Sequence, residues 1–245
     1  SFDTAMSLLF PLNLMLNIIF CPKYRIIKNF IKPTGFIFHC FSMFADIIFV
    51  VLFIYYACIE SLNGYRQTIF TYICIYFDCL FYCFGLLMNF AIGIMQTKNV
   101  IQLILTFQKV HNVLNNEIYF NHFVIHNWII VFIATSSYVI TSTYFSIQLG
   151  LPYYFIFFCY LLAVFDYNVI YAARMIKLLE NKIILWRIEV LKNTEFSDTL
   201  DENYRKNLFQ AYVYILECYD NHKCCFQQFV STLIPIITLL TGHLN

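Results

Sequence analysis

Charge is what this chain has least of: Asp, Glu, Lys and Arg make up 12% of its 245 residues, against 61% apolar and 20% aromatic. A soluble domain of that length would lack the polar surface to cover itself, so water is excluded as its main solvent. The charges nearly balance, with 15 basic and 14 acidic residues, and no basic face gathers them into a nucleic-acid footprint. Nor is there a Gly-rich phosphate loop or a nucleophile elbow, and no cofactor is expected. His122 and His126 stand one turn apart without the intervening Glu of a zinc-hydrolase helix; they read as a polar face where the chain meets the membrane, with Trp128 as interfacial anchor. The ten cysteines lie mostly in or beside apolar runs, and only Cys58 approaches the outer face, so no extracellular disulfide is expected. Cys79 and Cys83 share a helix face with no His or carboxylate cluster beside them, so packing is their expected role rather than zinc.

What remains is five long stretches nearly free of charge: 36–59, 68–95, 128–149, 152–171 and 224–240. The basic residues between them alternate sides. Lys23, Arg25, Lys28 and Lys32 precede the first stretch, Lys98 and Lys109 separate the second from the third, and a group from Arg174 to Lys223 separates the fourth from the fifth. Arg66 alone falls on the other side. This asymmetry predicts a multi-pass membrane protein with a cytoplasmic amino terminus. The fold class is therefore all-α, a polytopic transmembrane helix bundle whose helices extend into a cytoplasmic helical platform. Its parts are an amino-terminal cytoplasmic or interfacial segment (1–35), helices 1–4 (36–171) with a cytoplasmic helical connection near 97–126, a cytoplasmic extension and return (172–223), and a fifth membrane helix (224–245).

The opening residues are apolar but lack a basic n-region, carry Asp3, and are interrupted by Pro11, Asn13 and Asn17, unlike a cleaved signal peptide. Residues 4–20 read as a short interfacial or re-entrant helix, or alternatively as a crossing that would put the terminus outside. The outer connections are short, at 60–67 and at Gly150-Leu151-Pro152, while the inner ones are long and keep a helical period. Val100, Ile104, Phe107, His111, Leu114 and Ile118 recur at steps of three and four, as do Leu179, Ile183, Trp186 and Val190, and Leu208, Tyr212, Ile215 and Tyr219. Lys182, Glu189 and Lys192 are expected to turn away from the second stripe. Three apolar stripes on one side of a membrane can bury one another. After Pro152 neither Pro nor Gly occurs as far as Lys192, which allows one helix of about 60 Å, turning at 193–203 and returning from Tyr204.

With these features, the stretches "FPLNLMLNIIFCPKYRIIKNFIKP" and "YRKNLFQAYVYILECYDNHKCCFQQFVSTLIPIITLL" resemble the insect gustatory receptors. The resemblance covers nearly the whole chain. It implies a subunit of a ligand-gated cation channel for small-molecule tastants, assembled as a homo- or hetero-tetramer through cytoplasmic and carboxyl-terminal helices. Family members have seven membrane helices and a Thr-Tyr…Gln-Phe pattern in the last, which lines the pore. This chain stops after the fifth and starts at Ser1, so it is expected to be a partial receptor without the gate. Insect odorant receptors share the topology and form the alternative. A G-protein-coupled receptor would reverse the orientation, and no internal repeat or broken helix pair suggests a transporter.

Ser137, Thr141, Tyr144 and Gln148 fall at steps of four, three and four, a polar face rising toward the outside of the third span. Polar side chains in a membrane helix should face protein or a wet cavity. Tyr72, Tyr76 and Asp78 on the second span, Tyr153, Tyr154 and Tyr160 on the fourth, and Thr238 and Thr241 on the fifth complete the candidate pocket. Aromatic walls with a few hydroxyls suit a small, partly apolar molecule, and the resemblance places the tastant pocket between helices two to five on the outer side. The competing reading is that Ser and Thr hold helices together and that Tyr153 and Tyr154 belong to the interfacial aromatic belt. Asp46, Asp78 and Asp166 lie inside spans, where each should face inward and find a donor. An intramembrane aspartyl protease using Asp78 and Asp166 is the distant alternative. It lacks the Gly-x-Gly-Asp signature, having Tyr76-Phe77-Asp78 and Val164-Phe165-Asp166 instead, and the two carboxylates lie at different depths.

Overall fold

The computed structural model describes residues 2–19, 21–27, 30–63, 69–114, 117–148, 163–195 and 202–242. In chain order these form α1 (Phe2–Ile18), a hairpin of β1 (Arg25–Ile27) and β2 (Phe30–Lys32), α2 (Phe36–Asn63), α3 (Ile69–Val113), α4 (Glu117–Gln148), α5 (Val164–Glu195) and α6 (Glu202–Gly242). The all-helical expectation holds apart from the short antiparallel hairpin, which periodicity did not predict. Two stretches among the described residues are long and apolar enough to cross a membrane, Cys83–Val113 and Phe120–Gln148; Ser7–Ile18 and Phe36–Leu52 are shorter apolar helices.

The 45 residues of α3 run without a break from the second apolar stretch through the inner segment, roughly 65 Å at 1.5 Å per residue. The inner half of α3 packs on α6. Val100, Leu103, Phe107, Val110 and Leu114 are buried on α3, as are Leu208, Ala211, Ile215, Cys218, His222 and Cys225 on α6. Both rows step by three and four in alternation, the repeat that keeps one seam facing a partner helix. Cross-links fix the direction. Gln96 Nε2 donates to Cys224 O at 3.2 Å, Cys218 Sγ donates to Leu103 O at 3.7 Å, and Lys109 lies 5.0 Å from the Tyr214 ring centroid. As numbers rise on α3 they fall on α6, so the pair is antiparallel.

This seam refines the expected stripes. Tyr219 is exposed rather than buried, because the small Ala211 and Cys218 take the seam positions where the helices come closest. Tyr212 lies at the seam's edge and stacks on Trp186 at 4.7 Å, whose Nε1 donates to Leu208 O at 2.9 Å. On α5, Ile183 turns out and Lys182, expected to turn away, is buried. The reason is a capping contact. Lys182 Nζ donates to Leu114 O at 2.6 Å, at the end of α3, where helix carbonyls lack partners of their own and a cation opposes the dipole. The expected turn at 193–203 is narrower than predicted, since α5 continues to Glu195 and α6 begins at Glu202. The part of the expected long fourth helix between 152 and 162 lies outside the described residues.

The described part of the amino-terminal run, α1, packs inside the bundle. Leu8, Leu9, Leu12, Met15 and Leu16 of α1 are among the most buried side chains, wedged against α3, α4 and α5. Pro11 sits inside α1 and supplies no N–H, opening the ladder about one turn earlier. There Asn127 of α4, itself fully buried, donates its Nδ2 to Leu8 O at 2.9 Å. Its Oδ1 accepts from Arg174 Nε at 2.7 Å, and the Arg174 guanidinium covers the Phe123 ring at 4.2 Å. One amide thus joins α1, α4 and α5.

Away from this core the helices turn apolar residues outward. On α2, Phe36, Ile37, Phe44, Ile47, Ile48 and Val51 are exposed, and on α4, Phe132, Ile133, Ile140 and Ile147 are exposed by 60% or more. Gly85 lets α5 close on α3, since a Cβ there would come within 2.8 Å of the Phe165 ring.

Replacing Asn127 by Leu leaves Leu8 O and Arg174 Nε without this partner. The loss of a buried hydrogen bond to a cation and of its companion to the carbonyl is worth about 3 kcal/mol. Tryptophan-monitored unfolding in detergent should show it, whereas Ser137→Ala, which loses only a bond to Ala134 O one turn back on an exposed face, should stay within about 0.5 kcal/mol of wild type.

Candidate functional site

The row Ser137, Thr141, Tyr144 and Gln148 lies on the exposed side of α4. Ser137 Oγ donates to Ala134 O at 2.9 Å, and Tyr144 meets Phe145 edge-on at 5.8 Å. Tyr76 of α3 is also exposed. The side chains of Tyr72, Asp78, Thr238 and Thr241, and the whole of Tyr153, Tyr154 and Tyr160, lie outside the described residues.

A neighbouring row faces inward instead. Thr135, Tyr138, Ser142 and Ser146 follow at steps of three, four and four, with Ser142 and Ser146 buried. Tyr167 of α5 closes on this row: its hydroxyl donates to Thr135 Oγ1 at 3.3 Å, and its ring meets Tyr138 edge-on at 5.9 Å. Ser142 Oγ donates to Tyr138 O. Ser146 Oγ is buried without a hydrogen-bond partner among the described residues. That orphan hydroxyl lies about 16 Å along the helix from Thr135, at the end of α4 away from the buried base. At about 100° per residue, the inward row points roughly 135° round the helix from the outward one. The signal that separates them is size, since two serines allow the close helix approach that Tyr144 and Gln148 would block.

Amides form a second polar layer that attention to hydroxyls and carboxylates missed. Asn168 Nδ2 on α5 donates to Asn89 Oδ1 on α3 at 3.1 Å and to Val164 O at 2.8 Å, and Asn89 Nδ2 reaches Cys21 Sγ at 3.5 Å. Asn13 Nδ2 of α1 donates to Tyr24 O at 3.2 Å. Asn13 is therefore a stitch between α1 and the segment that follows, while Asn17 Nδ2 donates to Asn13 O within the helix at 2.9 Å. Next to this layer, Cys21, Lys23, Thr34, Ser42 and Asn89 help line a cavity of about 30 Å³, the size of one water. Asp46 is buried on α2 with Oδ2 unpartnered. Asp166, by contrast, is exposed in the first turn of α5, where a helix amino terminus favours a carboxylate, rather than turned inward to a donor. His122 and His126 are exposed, and Trp128 leans on Phe10 with ring centroids 6.3 Å apart. Among the described residues no three His, Cys, Asp or Glu side chains gather to hold a metal.

At the end of α3 farthest from the apolar surface, Lys182 Nζ also donates to His111 Nδ1 at 3.0 Å, so the ring keeps its proton on Nε2. Phe120 lies against the same ring at 4.7 Å. Desolvation in this pocket lowers Lys182 from its ordinary 10.5 to about 8. The chain matches no protein-family model, no curated protein and no solved structure.

The lowered Lys182 gives stability a sign with pH. Below about pH 8 the folded state carries the full cost of a buried ammonium, and between about 8 and 10.5 the unfolded chain retains a proton that the folded chain has released. Stability should therefore rise with pH across that window. Lys182→Met should flatten the rise, read from melting temperatures taken between pH 7 and 10.

Proposed function

We propose that the chain is a subunit of a ligand-gated cation channel for contact chemosensation, of the insect gustatory receptor type, with a small-molecule tastant as ligand. The observation that carries this reading is a long apolar helix, α4, whose outward side chains are bare, beside a seam that takes up the second half of the other apolar stretch, from Gln96 of α3 onward. Cys83–Val113 and Phe120–Gln148 are apolar enough to span a bilayer. Toward its inner end α3 joins α6 in a seam, and α5 caps it through Lys182. A helix that is apolar all round suits lipid, and one with a single apolar stripe suits a helical partner in water. The distribution of basic residues supports the cytoplasm as the side of the seam. In this reading the plasma membrane holds a polytopic bundle, its amino terminus is cytoplasmic, and the seamed base is the platform through which a tetramer assembles.

The inward row of α4 and its contact with Tyr167 are the best-supported ligand face. Ser146 Oγ, buried with no hydrogen-bond partner among the described residues, offers one polar contact on a largely apolar helix, a feature of a small-molecule site. Occupancy there would bear on α5, which runs unbroken from Tyr167 to the Lys182 contact. A ligand that binds one arrangement of α4 against α5 more tightly shifts the population toward it.

Expression of the complete reading frame in oocytes, with currents recorded on sugars and bitter alkaloids, tests the proposal. Ser146→Leu and Tyr138→Ala should each raise the half-maximal concentration at least about tenfold, the worth of one lost hydrogen bond or ring contact. Tyr144→Ala should remain within about twofold. Silence from wild type at normal surface level across both ligand classes contradicts the channel reading.

A further inference from the structure

We infer that the β1–β2 hairpin and the start of α2 form a binding site for an anionic phospholipid of the inner leaflet. The inference rests on the reading that α2 enters the bilayer from the cytoplasmic side. The hairpin register sets Arg25 directly opposite Lys32. Like charges facing each other across an antiparallel pair are destabilising, and an isolated two-stranded hairpin is marginal at best. Both side chains are exposed, and neither makes an ion pair with a carboxylate among the described residues. An anion lying between the two cations would turn this repulsion into attraction.

The ground beside them is apolar. A groove of about 570 Å³ is lined by Arg25, Gly35, Phe36, Ile37, Phe38 and Phe41. Phe36 and Ile37 are 81% and 85% exposed. Among the described residues Arg25 is the only charged one lining it, and its guanidinium lies 5.7 Å from the Phe38 ring centroid. Cations beside an apolar trough match a molecule with a phosphate at one end and an acyl chain at the other. A guanidinium can bind phosphate oxygens in a fork, with Lys32 adding a point charge. Free phosphate would satisfy the cations and leave the trough bare, so the chemistry selects a lipid.

The test uses the protein purified in non-ionic detergent and photoactivatable phosphatidylserine and phosphatidylcholine, with labelled peptides mapped by mass spectrometry. Phosphatidylserine should label between Arg25 and Phe41 at least about tenfold more than phosphatidylcholine. Arg25→Gln with Lys32→Gln should reduce that labelling about 30-fold, from about fivefold for each basic residue at a membrane surface. The charge-preserving pair Arg25→Lys with Lys32→Arg should retain most of it, with unfolding unchanged in both. Equal labelling by the two lipids, full labelling in the Gln pair, or displacement of the lipid by millimolar inorganic phosphate overturns the inference. Phosphatidylcholine labelling of exposed Ile47, Phe132 and Ile140 reports the membrane reading separately. If these are labelled while the hairpin shows no phosphatidylserine preference, the lipid site alone fails; if they are not, the membrane reading fails and takes the site with it.

Discussion

The antiparallel seam between α3 and α6 is the contact on which the rest of the structure depends. It buries the second half of α3, from Gln96 onward, against α6. Leu103, Phe107, Val110, Ala211 and Cys218 are all fully buried in it. Its two ends are closed by polar contacts, Gln96 to Cys224 O and Lys182 to Leu114 O. Apolar burial supplies most of the energy. The polar closures set register, because a slip by one residue would leave a carbonyl and a cation without their partners.

The second organising device is the use of amides where helices cross. Asn127 ties α1 to α4 and α5, and Asn89 and Asn168 tie α3 to α5. An amide in an apolar surround is costly unless its donors and acceptors are met, and so each specifies one arrangement of its neighbours. Pro11 belongs to the same logic, since it opens a helical ladder beside the place where Asn127 enters. The α4–α5 contact at Tyr138 and Tyr167 lies beyond this layer, toward the apolar zone. It includes a hydroxyl bond and an edge-on ring pair.

Much of the architecture was legible from periodicity. Val100, Ile104, Phe107, His111 and Leu114 were expected on one stripe and are all buried. The stripe on α5 was read too simply, because a pattern of apolar residues does not reveal that a lysine stem can enter the core when its ammonium finds a carbonyl and an imidazole. On α6 the seam passes through Ala211 and Cys218, residues too small to stand out in a hydropathy pattern. The hairpin was invisible, since three-residue strands carry no period to speak of. The candidate site fared differently. Two polar rows share α4, and polarity alone cannot choose between its faces. The choice follows from which row has the small side chains that a neighbouring helix can approach, and that depends on Tyr167, far away in sequence. The amides went unread because attention to charge and hydroxyls passed over uncharged groups with the same need for partners.

The central claim is that the apolar halves of these helices share one bilayer while the seamed base stays on the cytoplasmic side. Insertion of a glycosylation acceptor within 60–67, after residue 28, or after residue 198 measures it directly. A glycan on the first insertion and none on the other two is the expected result. Glycans on both the second and the third would place the basic residues outside and contradict it.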